Sequence, residues 1–325
     1  MVSQNLNFKC ILILGATASG KTALAHKLAD ELNSLNKPCE LVNLDAFQIY
    51  KELNIGTAKP TLDEIKKYNY HGIDICEPDE NLDANTFAKY AWTSCQNIFA
   101  KNHIPICVGG SGLYLRAFLH GLDDLPMRNE NIRKQIKEVA NTHGWPHCHE
   151  WLQKVDPKRA QELHPNDKTR IERALEIYLI TGNPQSSARS KEHILKEQNT
   201  LFPCYVIHCA RLPEDLKTRI VHRTLHLFSL GWQEEISNLL LKYGSQLNEF
   251  HSMQAIGYKQ ILTSILENNT NSQDELIQKI STLTWHYAKK QLTWCAKEKI
   301  DFEIEALNDM NQNLLTQVKE FLAKA

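Results

Sequence analysis

The chain has 325 residues, 42% hydrophobic and 23% charged, with 37 Lys+Arg against 38 Asp+Glu and a formal net charge of −1. These fractions exclude a disordered, collagenous or disulfide-framework protein and leave length for two domains, or for one domain carrying an inserted lobe. The near-zero charge excludes a globally basic nucleic-acid binder, but not a local basic groove, which is what a phosphate backbone feels.

Met1–Lys9 is polar and lacks the apolar stretch of a secretory signal, and no run of about 18 apolar residues follows, so a cytoplasmic protein without a membrane span is expected. Cys10–Leu14 (CILIL) is a continuous apolar run and predicts a buried strand, after which Leu24, Leu28 and Leu32 recur at helical spacing. Glu40–Leu44 (ELVNL) predicts a second strand and His71–Ile75 (HGIDI) allows a third. Thr86–Lys101 reads as a helix, and Ile104–Val108 (IPICV) as a strand closed by Gly109-Gly110. Strands alternating with helices point to an α/β fold with a parallel sheet. From Asn129 to Gly182 the patterns are helical, with Ile171, Leu175, Ile177 and Leu179 as one apolar stripe stopped by Gly182. Asn183–Asn199 is polar, contains Pro184 and reads as a loop; Cys204–Cys209 (CYVIHC) is again a strand. Pro213–Leu230, Gln233–Tyr243 and Asp274–Lys297 read as helices. The expected layout is a core of 1–121 and 200–325 interrupted by a helical insertion domain at 122–199. Nine scattered cysteines without a C-x-x-C pair argue against both a disulfide framework and a thiolate zinc site. His143, His147, Cys148 and His149 have metal-ligand chemistry, but their crowding around Pro146 and the lack of a second half argue against a metal site.

Gly15-Ala16-Thr17-Ala18-Ser19-Gly20-Lys21-Thr22 fits G-x-x-x-x-G-K-[ST] and lies between an apolar strand and a helix, the setting the motif requires. Its glycines let backbone N–H groups converge as an anion nest at a helix N-terminus, Lys21 adds a point charge, and the Thr22 hydroxyl suits Mg²⁺. The loop specifies phosphate but not which phosphate. A nucleoside triphosphate such as ATP is the default ligand, no Asn-Lys-x-Asp guanine reader is present, and a kinase of a small metabolite stays open. Asp45 follows the second strand, at the edge where open α/β sheets bind ligands, though taken alone an Asp in that place is more often a cap or loop residue than a base.

Taken together, the segments Asp45-Ala46-Phe47-Gln48-Ile49-Tyr50, Gly56-Thr57-Ala58-Lys59-Pro60 and Gly109-Gly110-Ser111-Gly112-Leu113-Tyr114 join the phosphate loop in a wider pattern. Asn166–Glu176, Gln254–Gln260 and Ala288–Trp294 continue it in order. The ordered set, over about residues 10–297, resembles the tRNA dimethylallyltransferase (tRNA isopentenyltransferase) family in its bacterial form. Ala16, Ala46 and Ser111 stand where that family usually has Pro, Ser and Thr; the change at Ala46 removes a hydroxyl beside Asp45.

The resemblance implies a P-loop NTPase-like parallel sheet flanked by helices, with a helical insertion lobe, in a monomeric Mg²⁺-dependent enzyme. The implied reaction moves the dimethylallyl group of dimethylallyl diphosphate to N6 of the adenosine immediately 3′ of a tRNA anticodon; transfer to free adenine nucleotides is the related alternative. It implies catalytic roles for Asp45 as proton acceptor, Ser111 as orienter of the base and Arg223 as part of the diphosphate clamp. Gly15 through Thr22 would bind diphosphate, with Thr22 at the metal. It implies tRNA contacts at Asp45, Ala46, Phe47, Gln48 and Ser111. In the insertion they fall at Arg133, Thr169, Arg170, Ile171, Glu172 and Arg173, and toward the C-terminus at Gln254, Gly257, Tyr258, Lys259, Lys289, Lys290, Gln291 and Trp294. Aromatic faces that stack bases, with Lys and Arg on phosphates, suit such a surface, while a Lys-rich helix face is equally a solvated one.

Overall fold

The computed structural model describes residues 8–122, 125–188, 200–267, 272–305 and 312–323. Five parallel strands form one sheet in the order β2-β3-β1-β4-β5: β1 Cys10–Leu14, β2 Cys39–Asn43, β3 Ile104–Gly109, β4 Cys204–Cys209 and β5 Phe302–Ile304. β1 lies at the centre and is wholly buried, as an unbroken apolar run covered on both faces must be. Helix α1 (Lys21–Ser34) presents Leu24, Leu28 and Leu32 to the sheet, where they meet Ile11, Ile13 and Ile207. Helix α2 is Leu62–Lys67. Helix α3 (Ala84–Ala100) begins at Asp83, whose carboxylate caps the N–H groups of Asn85 and Thr86. Helix α4 is Gly112–His120.

The chain divides into two compact units, Met1–Leu119 with Leu201–Ala325, and His120–Thr200. The second unit contains α5 (Glu130–His143), α6 (Trp145–Val155), α7 (Pro157–Glu162), α8 (Lys168–Thr181) and the short α9 (Gln185–Ala188). Ile136, Leu152, Ile171 and Leu175 are at its core. In the first unit, β4 is followed by α10 (Pro213–Ser229), α11 (Trp232–Tyr243), two 3₁₀ turns (Gly244–Glu249 and His251–Gln254), α12 (Tyr258–Leu266), α13 (Gln273–Cys295), β5 and α14 (Gln312–Ala323).

Three expectations change. His71–Ile75 is not a strand: it makes only an isolated bridge from His71 to Val42, because Gly72 and Asp74 take positive φ and break the extended run. Leu179 leaves the apolar stripe of α8 and is exposed, whereas Ile171, Leu175 and Ile177 are buried as expected. Gln185–Ala188 is a turn of helix within the expected loop, and 189–199 lie outside the described residues. β5, with three residues, is too short to be read from sequence, and helix α12, whose Ile261, Leu262, Ile265 and Leu266 recur at helical spacing, is an element the sequence reading missed. All nine cysteines are free thiols, and among the described residues no helix is long and apolar enough to cross a membrane.

Candidate active site

The phosphate loop leaves β1 at Gly15 and enters α1 at Lys21. Ala18 and Gly20 take φ of 62° and 100°, turning successive amides inward as an anion nest requires. Side chains far away in sequence fasten this curl. Arg211 Nε donates to the carbonyl of Ser19 at 3.0 Å and Arg219 Nε to that of Ala18 at 2.9 Å. Gln291, buried on α13, accepts the Thr17 N–H at 2.8 Å and donates to the carbonyl of Gly110 at 2.7 Å. One carboxamide thus ties the phosphate loop to the end of β3. A glycine is required at 110, since a Cβ there would lie 2.7 Å from the Gly15 carbonyl oxygen and 2.8 Å from Gln291 Nε2.

Lys21 Nζ folds back to donate to the Ala16 carbonyl at 2.7 Å. Burial, and then the Arg223 guanidinium, pull its pKa down to about 8, with Asp45 opposing. Burial also lowers the pKa of Arg223, again against the pull of Asp45. Two desolvated cations therefore face a single carboxylate, an arrangement short of negative charge that an anionic ligand would complete.

Asp45 sits two residues beyond β2. Its N–H donates to the side chain of Asn43 at 3.2 Å, its Oδ1 accepts the Phe47 N–H at 2.9 Å, and buried Asn43 is held by the Gly72 carbonyl. With no hydroxyl at position 46, the Phe47 backbone amide orients the carboxylate. The Ala46 N–H reaches Ser111 Oγ at 3.4 Å, and that oxygen lies 3.5 Å from the hydroxyl of Tyr287, both at the outer limit of hydrogen bonding. Burial, then the negative charge of Asp45, raise the Tyr287 pKa, so the phenol stays protonated at neutral pH.

Thr17 of the phosphate loop, Asp45, Arg223 and Tyr287 border a cavity of about 290 Å³. Thr17, Asp45, Arg223 and Tyr287 give it polar walls, and Ile220, Leu227, Trp232, Ile256 and Ile280 apolar ones. Phe47, Gly56 and Thr57 also border it. The 54–58 turn is clamped by Glu235, whose carboxylate accepts the N–H groups of Asn54 and Ile55 at 2.9 and 2.8 Å. Tyr258 donates its hydroxyl to Glu235 and accepts the Gly56 N–H at 3.1 Å.

A family model described as IPP transferase matches residues 48–298. The chain belongs to the IPP transferase family. It is 39% identical to tRNA dimethylallyltransferase 2 of Geotalea uraniireducens over 94% of this chain and 93% of that one. It is 36% identical to tRNA dimethylallyltransferase 1 of Citrifermentans bemidjiense over 99% of this chain and all of the other, a span that takes in the phosphate loop. In structure it is similar to a tRNA isopentenylpyrophosphate transferase of Staphylococcus epidermidis, with a TM-score of 0.65, 29% identity, and 96% of this chain and 99% of the other covered. A eukaryotic dimethylallyltransferase solved acting on tRNA shares the fold, with a TM-score of 0.77, 24% identity, and 97% and 80% covered.

Several residues expected at the tRNA surface of this family member are placed otherwise. Ile171 is wholly buried and Glu172 nearly so, which leaves no side-chain surface at Ile171 for a ligand. Tyr258 is buried as the clamp on Gly56, and Gln291 as the brace of the phosphate loop. Gly257 is buried against Trp232. Gln48 Nε2 is engaged with the carbonyls of Thr57 and Ala58, both at 3.1 Å. In the insertion unit, Arg133 makes a two-pronged pair with buried Glu176 (2.9 and 2.9 Å), and Arg173 joins the same carboxylate at 2.6 Å. Thr169, Arg170, Gln254, Lys259, Lys289 and Lys290 are exposed. Arg170 pairs with Asp167, Lys259 donates to Gln254, and Lys289 lies over the Trp285 ring. Trp294 packs over Gly112, where a Cβ would come within 3.1 Å of the indole.

Sequence reasoning missed Arg211, Arg219, Glu235 and Trp232. Only Arg219 carried a signal, one helical turn before Arg223 on α10.

Among the described residues, no three His, Cys, Asp or Glu side chains gather as a cation site. The exposed Thr22 hydroxyl at the start of α1 is a hard oxygen donor. Mg²⁺ keeps much of its water and relies on substrate phosphates, so this donor set fits Mg²⁺ in company with a bound diphosphate.

Proposed function

We propose that this chain transfers the dimethylallyl group of dimethylallyl diphosphate to N6 of the adenosine immediately 3′ of the anticodon in tRNA. The observation that carries the reading is the single cavity in which the phosphate loop, Asp45 and Arg223 meet beside an apolar wall. A diphosphate and a short hydrocarbon need those two surfaces side by side.

The phosphate loop and Lys21 receive the diphosphate at its nest, with Arg223 across the cavity. Mg²⁺, held by the diphosphate and Thr22, would supply further positive charge against the leaving group. The N6 lone pair forms the new bond to the first carbon of the allyl group as that carbon's bond to oxygen breaks, and the bonding pair departs with the diphosphate. Lys21 and Arg223, both partly buried at the site, would stabilise this developing charge more strongly than cations in open water. The N6 proton passes to the carboxylate of Asp45, which the Phe47 amide holds in place. Ser111, buried beside Ala46, helps to orient the base. The adenine must leave its stack to reach these groups, at a cost of a few kcal/mol.

For tRNA, the exposed cations Arg170, Lys259, Lys289 and Lys290 would meet phosphates. Arg133 and Arg173 instead shape the insertion around Glu176. The protein would act in the cytoplasm as a monomer.

The test is transfer of label from radiolabelled dimethylallyl diphosphate to total tRNA, with AMP and ATP as competing acceptors. Label in tRNA that depends on Mg²⁺ and falls sharply in Lys21→Ala is expected. Label in AMP or ATP but not in tRNA would give the site to free nucleotides. Phosphoryl transfer from ATP with no prenyl transfer would make the protein a small-molecule kinase.

A further inference from the structure

Trp232 is a large, fully buried side chain at the cavity, and it has nowhere to go. A Cβ at Gly56 would lie 2.1 Å from its Nε1, and one at Gly257 would lie 1.9 Å from its six-membered ring. Only two glycines, Gly257 at φ 95°, let the indole slot between these backbones. Phe228 and Tyr258 meet it edge-on, at centroid distances of 5.7 and 5.6 Å. Tyr258 is itself locked to Glu235 and Gly56, so the wedge is braced from behind. Its Nε1 has no hydrogen-bond partner among the described residues, so packing alone holds the ring.

We propose that Trp232, wedged between Gly56 and Gly257, is the end wall of the donor chamber and restricts the allyl group to a short chain. The inference rests on the reading of the cavity as the donor site. With the diphosphate at Thr17 and Arg223, the hydrocarbon would occupy the rest of the same cavity, whose apolar lining includes Ile220, Leu227, Ile280 and the indole. Close-packed interiors do not open to admit extra carbons. Pockets that only fail to fill discriminate weakly, about 10–200-fold per methylene. A wall that cannot rotate away excludes a further isoprene unit by collision, the stronger form of selectivity.

The experiment measures kcat/KM for dimethylallyl and geranyl diphosphates with the same tRNA, in the wild-type chain, Trp232→Phe, Trp232→Leu and Ile280→Ala. The wild type should prefer dimethylallyl diphosphate by at least about 100-fold, the upper range of methylene discrimination. In Trp232→Leu the geranyl-to-dimethylallyl ratio should rise at least about tenfold, with a smaller rise in Trp232→Phe, which keeps a ring against Phe228 and Tyr258. The ratio is taken within one preparation, so a partly unfolded fraction cancels. Inhibition by inorganic diphosphate should stay within about threefold, because the polar walls are untouched. An unchanged ratio in both Trp232 variants, or a larger rise in Ile280→Ala than in either, would overturn the assignment while leaving the prenyl-transfer reading intact. No dimethylallyl transfer by the wild type would overturn both.

Discussion

The reaction centre and the insertion use the same residue types to opposite ends. Around the cavity, Arg211, Arg219, Gln291 and Glu235 each reach backbone groups about 180 to 270 residues away in sequence and freeze the loops a ligand meets. Lys21 and Arg223 are left as desolvated cations without a full complement of negative charge. In the insertion, Arg133 and Arg173 spend their charge on Glu176, which also accepts the Asn129 N–H at 2.7 Å. A buried cation beside a cavity is a binding device when its partner is missing, and scaffolding when the partner is present.

The largest stability effect should come from breaking that scaffold. Glu176→Ala strands two guanidiniums and an amide, and removing one partner of a buried pair costs about 3–5 kcal/mol. Denaturant unfolding should register the loss, and hydrogen exchange should place it in residues 130–181. Affinity for inorganic diphosphate should stay within about twofold; a collapse of diphosphate binding would mean that the two regions are not separable.

Gln291→Ala attacks the other region. It unpairs the Thr17 amide and the Gly110 carbonyl, worth about 1–3 kcal/mol for buried groups. Calorimetry with inorganic diphosphate should show roughly a tenfold weaker complex, about 1.4 kcal/mol. Undiminished affinity would reduce the brace to packing.

Lys21 sharpens the comparison through pH. Its pKa near 8 lies below the ordinary lysine value, so diphosphate affinity should fall as pH rises past about 8 and the ammonium is lost. Between about 8 and 10.5 the unfolded chain binds the proton more tightly than the folded one, so the contribution of this group to ligand-free stability rises with pH over the same window. Lys21→Arg stays charged and should abolish the fall in affinity near pH 8.

The smallest effect belongs to the exposed cations. Lys289→Ala with Lys290→Ala should lower the salt slope of tRNA binding by about 1–2, the release expected for one or two phosphate contacts. An identical slope would return both lysines to a solvated helix face.

Where chemistry is contiguous, it was legible. The eight residues of the phosphate loop and the strand before it carry their own context, whereas Asp45, taken alone, reads as a cap or loop residue and is singled out only by the family resemblance. What was not legible depends on contacts that only folding makes. Gln291 reads as one more polar residue in a basic helix until α13 brings it to Thr17. Tyr258 and Ile171 sit in motif segments expected to meet RNA, yet the core takes both side chains. Trp232 gives no sign of its role until two distant glycines close on it. β5, with three residues, is below the length at which alternation can be seen.

In the proposed reaction, Asp45 accepts the proton of the attacking amine in a cavity whose charge only a bound diphosphate completes. The most direct measurement is the single-turnover rate of Asp45→Asn with saturating dimethylallyl diphosphate and tRNA. The amide keeps the shape and can still accept the Phe47 N–H, so both affinities should stay within a few-fold. The rate should fall by about 10²–10⁴, the range of general-base catalysis. A rate within about threefold of the wild type, far below that range, would contradict the account and leave Asp45 as a positioning group only.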